Sequence, residues 1–220
     1  MNEWDACAAE EAIRIRERLG EGEVVIVTVG DEESEAVLRR CLAMGADRAI
    51  RVDTGSAGPS PLDPISTARA LAGAVAAESP DLTLTGVQSA DSVQGSTGVA
   101  LAELLGLPRV AVVTKVDWDG SGPATVNREL EGGLIDVVEV ETPAVLTIQT
   151  GINEPRYVNL RAIKQAERHE IAVARAETGE SAYRVRRMFS PPRGEGAELL
   201  DGGPAEIALR IVELVRERLA

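Results

Sequence analysis

The run Glu23-Val24-Val25-Ile26-Val27-Thr28-Val29 is almost continuously β-branched and offers water no polar face. A strand with one wet face alternates, whereas a run apolar throughout fits a strand covered on both faces, as in a parallel sheet. Parallel neighbours must be joined by long crossovers, usually helices. The run therefore dictates what should flank it. Residues 5–19 before it read as an amphipathic helix. Ala9, Ala12, Ile13 and the segment Ile15 to Leu19 supply its apolar stripe, and Asp5 is read as its N-cap. Gly20-Glu21-Gly22 ends that helix. After Gly30 come a helical pattern at 32–43 and a strand at 48–52.

The alternation continues. A loop dense in Gly, Ser and Pro spans 53–64, followed by a helix at 65–78, a strand at 81–86, a polar loop at 87–97, a helix at 98–105 and a strand at 109–118. This order predicts an α/β fold with a doubly wound, mostly parallel sheet. The texture then changes. Residues 123–131, 134–141 and 143–149 are β-rich, with a turn at Glu131-Gly132-Gly133. A helix is expected over about 159–168, then an extended stretch, a Pro-Pro break at 191–192 and a final helix at 205–219. Ile207, Ile211, Leu214, Val215 and Leu219 give that last helix an apolar face that needs a surface. With 220 residues, against about 100–200 per domain, the chain is expected to divide into an α/β domain at 1–170 and a C-terminal arm at 171–220.

Composition removes several functions. The net charge of −13 argues against a nucleic-acid binder, which needs a basic face. Aromatics at 2% leave no base-stacking platform. No apolar run approaches the roughly 20 residues of a membrane span, and the acidic start, Met1 to Asp5, is unlike a secretory signal. The acidity suits a cytoplasmic protein. The single histidine, His169, sits in the charged run 164–170, which reads as a solvated helix rather than a metal site or triad. Cys7 and Cys41 lack metal spacing and read as small buried hydrophobes.

The segment from Leu84 to Ala100 is the most informative locally. A buried strand ends in a loop of Gly, Ser, Thr, Gln and Asp, and a helix starts near Thr97 or Gly98. A helix start offers free N–H groups and the positive end of its dipole, which suits a phosphate. In open α/β sheets ligands sit at the carboxyl ends of strands. An ordinary loop capped by Ser96 or Thr97 fits the same residues.

Three stretches carry a resemblance. They are Ala43-Met44-Gly45-Ala46-Asp47-Arg48, then Val126 to Gly133 running on to Thr142-Pro143-Ala144-Val145-Leu146-Thr147, and Asn153-Glu154-Pro155-Arg156-Tyr157 followed by Leu160. Over most of its length the chain resembles the β subunit of electron transfer flavoprotein. The resemblance implies a Rossmann-like domain of the adenine-nucleotide-binding type and a heterodimer with an α subunit that carries most of the FAD. It implies a structural AMP, whose loop in the family matches Gly86, Gln88, Asp91, Thr97 and Gly98; Asn2, Trp4, Asp5, Val29, Gly30, Gln94 and Ser96 are the further candidates for holding the nucleotide. It implies a docking segment of Asn153, Glu154, Pro155, Arg156, Tyr157 and Leu160 for flavin dehydrogenases, with a quinone oxidoreductase as the acceptor. Such a subunit is an electron carrier with no catalytic residues of its own.

The match departs in two places. Ser92-Val93-Gln94-Gly95-Ser96 stand where the family often has acidic residues and an Asn-Gln pair, which leaves open a second FAD in place of AMP, as in an electron-bifurcating variant. The family also opens with a β-strand ahead of a segment like Asn2 to Asp5, where this chain has Met1. The first strand of a doubly wound sheet is central, so two neighbouring strands are expected to lack backbone partners and the core to be opened. A stand-alone nucleotide-binding regulator, like a universal stress protein, is the reading from another class.

The same residues have plainer readings. Asn2 and Asp5 can cap a helix, Gly30 can be a turn glycine, and Asp91 can hold its own loop. Leu160 is either an exposed anchor or core packing, and Arg156 either reaches the partner's flavin or makes an ion pair.

Overall fold

A computed structural model describes residues 1–220 except 56–62, 180, 182–185, 188, 191, 193–195, 198 and 220. The chain divides into two compact units, Met1–Arg184 and Val185–Ala220. Most of the 53–64 loop, and Pro191 of the Pro-Pro break, lie outside the described residues.

The first unit runs α1 (Glu3–Leu19), β1 (Val25–Val29), α2 (Glu35–Met44), β2 (Arg48–Asp53), α3 (Pro64–Glu78), β3 (Leu82–Gly86), α4 (Thr97–Leu105) and β4 (Arg109–Asp117). It continues with β5 (Ala124–Glu129), β6 (Ile135–Val140), β7 (Ala144–Ile148), α5 (Leu160–Ala166) and β8 (Ala172–Arg175). This is the expected α/β alternation, with a Rossmann-like order of crossovers. Strand β8, which follows residue 170, pairs with β2 and belongs to the first unit. The second unit holds α6 (Pro204–Leu219), none of whose residues is buried.

Local chemistry explains most boundaries. Asp63 caps α3 by accepting from the N–H groups of Ile65 and Ser66, and Pro64 follows at the first helical position. Gly20 and Gly106 close α1 and α4 in the left-handed conformation. The helix expected from residue 32 begins as a 3-10 turn at Glu32–Ser34, because Asp31 takes the Glu33 N–H before α2 starts. Helix α1 starts two residues earlier than the pattern indicated. Asn2 stands at its N-cap position without making a cap bond, and Asp5 lies inside the first turn.

The strands form two sheets. One is β1-β2-β8, parallel throughout, and the other is β3-β7-β4-β5-β6. In the second, β3 and β4 flank β7 in parallel, and β5 and β6 continue as an antiparallel meander. Among the described residues no strand joins β1 to β3. The Gly30 N–H donates to Val52 O, so the even-numbered residues of β1 face β2, and Val25, Val27 and Val29 turn their backbone to the open edge. Val87 N–H donates to Ile148 O and Asp81 O accepts from Ala144, so odd-numbered residues of β3 face β7. Leu82, Leu84 and Gly86 therefore turn theirs outward. No residue of β1 or β3 is fully buried, whereas every residue of β7 is.

Helix α1 spans the break. Its Cys7, Ala8 and Ile15 pack with Val110, Leu146 and Ile148 of the larger sheet. Its Ala9 and Ile13 pack with Val24, Leu38, Cys41 and Leu42 around the smaller one. Both strands beside the break run opposite to α1 and so parallel to each other. Asp5, near the helix start, bonds Gly86 at the end of β3. Arg16, near the helix end, bonds Asp47, whose carboxylate also takes the Val24 N–H at the start of β1.

Candidate functional site

The start of α1 lies across the carboxyl end of β3. The Asp5 carboxylate accepts from the Gly86 N–H at 2.9 Å, and Asn2 Nδ2 donates to Gln88 O at 2.6 Å and to Asp5 Oδ2 at 3.2 Å. Trp4 Nε1 donates to Gln149 Oε1 at 2.8 Å, tying the same turn to the end of β7. A Cβ on Gly86 would lie 2.7 Å from Trp4 Cβ and 2.9 Å from Asp5 N, so only glycine admits the helix this close. Gln149 was not singled out by sequence. Its one signal is a polar residue directly after a fully buried strand.

The loop after β3 holds its own shape. Ser89 and Ser92 share a hydroxyl contact at 2.7 Å, and Asp91 accepts from the Ser92 N–H at 2.8 Å. The Ser89 side chain and the Ser92 N–H hold the Asp91 carboxyl below the usual carboxylate range. Asp91 therefore acts on its loop. Gln94 and Ser96 are exposed, and Ser96 stands at the N-cap of α4 without a side-chain cap bond. The N–H groups of the first helical turn, from Thr97 on, have no partner within the helix. Gly98 is buried against Thr85 and Thr147, and a Cβ there would clash with both side chains. Its absence of a side chain sets how closely α4 packs on β3 and β7, the helix–strand glycine of nucleotide-binding α/β turns.

A bulge sits in the neighbouring strand. The β4–β7 register shifts between Val110 and Val113, and Val112 takes φ 62°, an outlier for a β-branched residue. The Val112 N–H donates to Thr147 Oγ1 at 3.1 Å.

Asn2, Trp4, Asp5, Gly86 and Gln88 are thus brought together, with Asp91 to Gly98 following from the same strand end. Val29 and Gly30 end β1 in the other sheet. The Gly30 carbonyl accepts from Arg51, and a Cβ on Gly30 would lie 2.8 Å from Ser34 Cβ. Among the described residues no hydrogen bond joins them to the corner. An open cavity of about 580 Å³ lies at the carboxyl ends of β2 and β8, lined by Asp53, Thr54, Gly55, Arg175, Ala176 and Glu177. None of these belongs to the expected set.

Asn2 Oδ1 is buried and has no hydrogen-bond partner among the described residues. An acceptor of that kind fits an adenine amino group or a ribose hydroxyl. With the glycines at 86 and 98 and the open helix start, the residues fit an adenine nucleotide in kind.

The second candidate region is 153–160. Asn153 is buried, and its Nδ2 donates to Cys7 O at 3.0 Å and to Glu11 Oε2 at 2.9 Å. Arg156 reaches two carboxylates of α1, Glu10 through Nε and Nη2 and Glu17 through Nη1 and Nη2. Its N–H also donates to Glu10, and Arg14 bonds both Glu10 and the carbonyl of Glu154. Glu10 is 1% exposed. Burial pushes its carboxyl up, but the hydrogen bonds of Arg156 and Arg14 and the charge of Arg156 pull it below the usual range. Past this base the chain turns to solvent. Tyr157 is 92% and Leu160 75% exposed. Pro155, on the other side of Arg156, is exposed as well. Asn159 caps α5 by accepting from the Ala162 N–H. Glu10, Glu11 and Glu17 were missed from sequence. For Glu11 the signal was a carboxylate inside an apolar stripe, four residues after Cys7 and four before Ile15.

The model of the family described as "Electron transfer flavoprotein domain" matches residues 1–178. The chain belongs to the electron transfer flavoprotein family, as a β subunit. It is 43% identical to an electron transfer flavoprotein subunit beta of Methylophilus methylotrophus, over 99% of this chain and 86% of that one. It is 36% identical to the subunit of the same name in Dictyostelium discoideum, over 99% of this chain and 84% of that one. For the Bacillus subtilis subunit the identity is 34%, over 98% and 85%. The family is one of electron-transfer subunits and implies a flavin and an α-subunit partner. No helix among the described residues is long and apolar enough to cross a membrane.

Proposed function

We propose that this chain pairs with an α subunit to form a soluble electron carrier between flavin dehydrogenases, acyl-CoA dehydrogenases among them, and a quinone oxidoreductase. FAD, held mainly by the α subunit, supplies the redox chemistry, and the protein supplies position and electrostatics. The corner built by α1, the end of β3 and the start of α4 holds a structural AMP. Asn2, Asp5 and Gln88 face its nucleoside, and the Ser96–Gly98 backbone faces its phosphate. The 153–160 segment docks the dehydrogenase, with Leu160 as its apolar anchor. The α6 face of Ile207, Ile211, Leu214, Val215 and Leu219 packs on the α subunit.

The observation that carries this reading is the buried, unpaired Asn2 Oδ1 at a corner closed by glycines 86 and 98. Co-expression with the α subunit, denaturation of the purified complex and quantification of flavin and nucleotide test it. One FAD and one AMP per heterodimer is the expected result. Two FAD and no AMP would replace it with an electron-bifurcating subunit. ATP bound by the isolated chain, with no association with α, would replace it with a stand-alone nucleotide-binding regulator.

A further inference from the structure

The 153–156 segment meets α1 through charge rather than through apolar packing. Glu10 is almost wholly buried, yet it receives Arg156 through its N–H at 3.1 Å, Nε at 2.9 Å and Nη2 at 3.1 Å, and Arg14 through Nε at 2.8 Å. Glu11, one residue on, receives Asn153 at 2.9 Å. Glu17, two turns on, receives both Arg156 Nη atoms at 2.7 and 2.9 Å. Arg14 returns from the helix to the Glu154 carbonyl at 3.0 Å. Four helix side chains thus grip three of the four loop residues 153–156, leaving out only Pro155. A loop needs none of this to be folded, since a turn with solvated backbone would suffice. The grip ends where the exposed side chains begin, at Tyr157 and Leu160.

We infer that Glu10 and Arg156 are positioning residues. They form a carboxylate–guanidinium clamp that holds the docking segment in its partner-binding shape before the partner arrives. This rests on the reading of 153–160 as a docking segment. Ordering a loop at the moment of binding costs affinity, and a loop already held avoids that cost. A bidentate guanidinium fixes both distance and direction, which a lysine cannot. Among the described residues the clamp makes no hydrogen bond to the nucleotide corner. Its loss should therefore weaken encounter with the dehydrogenase and leave the electron-transfer step alone.

The test uses the intact heterodimer as electron acceptor, with an acyl-CoA dehydrogenase held reduced by its substrate. Steady-state rates are followed against flavoprotein concentration for wild type, Leu160→Ala, Glu10→Gln and Arg156→Lys. Leu160→Ala should raise KM for the flavoprotein about tenfold, as loss of an anchor does. Glu10→Gln should raise KM about fivefold or more with kcat unchanged, with Arg156→Lys in between, and amides 157–163 should exchange hydrogen faster. An unchanged KM in both clamp variants, with Leu160→Ala still impaired, overturns the clamp and leaves the docking reading standing. An unchanged KM in Leu160→Ala, or a wild-type heterodimer that the dehydrogenase cannot reduce, overturns the docking reading and the clamp's purpose with it. Glu10→Gln that fails to fold hands the same decision to Arg156→Lys, which keeps the charge.

Discussion

At the scale of single residues, two positions in the site are set by what they lack or hold. Gly98 has no room for a Cβ, which would meet the hydroxyl of Thr85 and lie 2.8 Å from the Thr147 methyl. Gly98→Ala should push α4 off the sheet and cost about 1–3 kcal/mol of stability, as overpacking does. Urea unfolding of the heterodimer, with nucleotide content measured alongside, reads both effects. Glu10 contributes in a pH-dependent way. Its carboxyl titrates below the usual range in the fold, so the folded chain binds fewer protons than the unfolded one. That stabilisation is complete above the ordinary carboxylate range and vanishes as pH falls through the lowered value. Denaturant midpoints of wild type and Glu10→Gln should accordingly differ at neutral pH and converge in acid. A gap that stays constant down to acid would mean that the carboxylate charge is not what stabilises. Cys41, by contrast, has its thiol pushed up to about 11 by burial, which suits an inert packing role.

At the scale of elements, α1 is the piece that joins the others. The apolar stripe visible in its sequence is divided between two sheets, with Ile15 facing one and Ile13 the other. Ile13 is 0% exposed. Ile13→Ala should cost about 2–5 kcal/mol, the range for a truncated core aliphatic, measured as a fall in the thermal or urea midpoint. The strands and helices were legible because each long run has a single period, β-branched for β1 and three-to-four for α1 and α6. Their ends were less so. Asp5 reads as a cap because capping residues are recognised by type, yet its carboxylate goes to Gly86 on a strand 81 residues away. No local pattern encodes that pairing.

At the scale of the whole molecule, the break between β1 and β3 is the main feature. Val25, Val27 and Val29 on one side, and Leu82 and Leu84 on the other, carry backbone groups that no described strand pairs. Their amides should exchange with solvent faster than those of Ile26 and Thr28, or Thr83 and Thr85, within the same strands. Residue-resolved hydrogen exchange measures this directly, and equal protection along β1 and β3 would show both edges to be covered. The net charge of −13 acts at this scale too, through solubility and long-range steering rather than through any one site.

The sequence by itself determined the α/β class, the order of elements and the family, because periodicity and short glycine-bearing motifs are local properties. It also placed Gly86 at a strand end and Gly98 at the following helix start, since a strand ending in a polar loop before a helix is legible in one dimension. Tertiary structure alone decided which groups face each other across 81 to 146 positions, as Asp5 meets Gly86 and Arg156 meets Glu10. It also decided that Leu160 stands in solvent while Arg156 is drawn down onto α1. Hydrogen bonds and ion pairs depend on distance and direction between folded elements, and a chain read residue by residue holds neither until it packs.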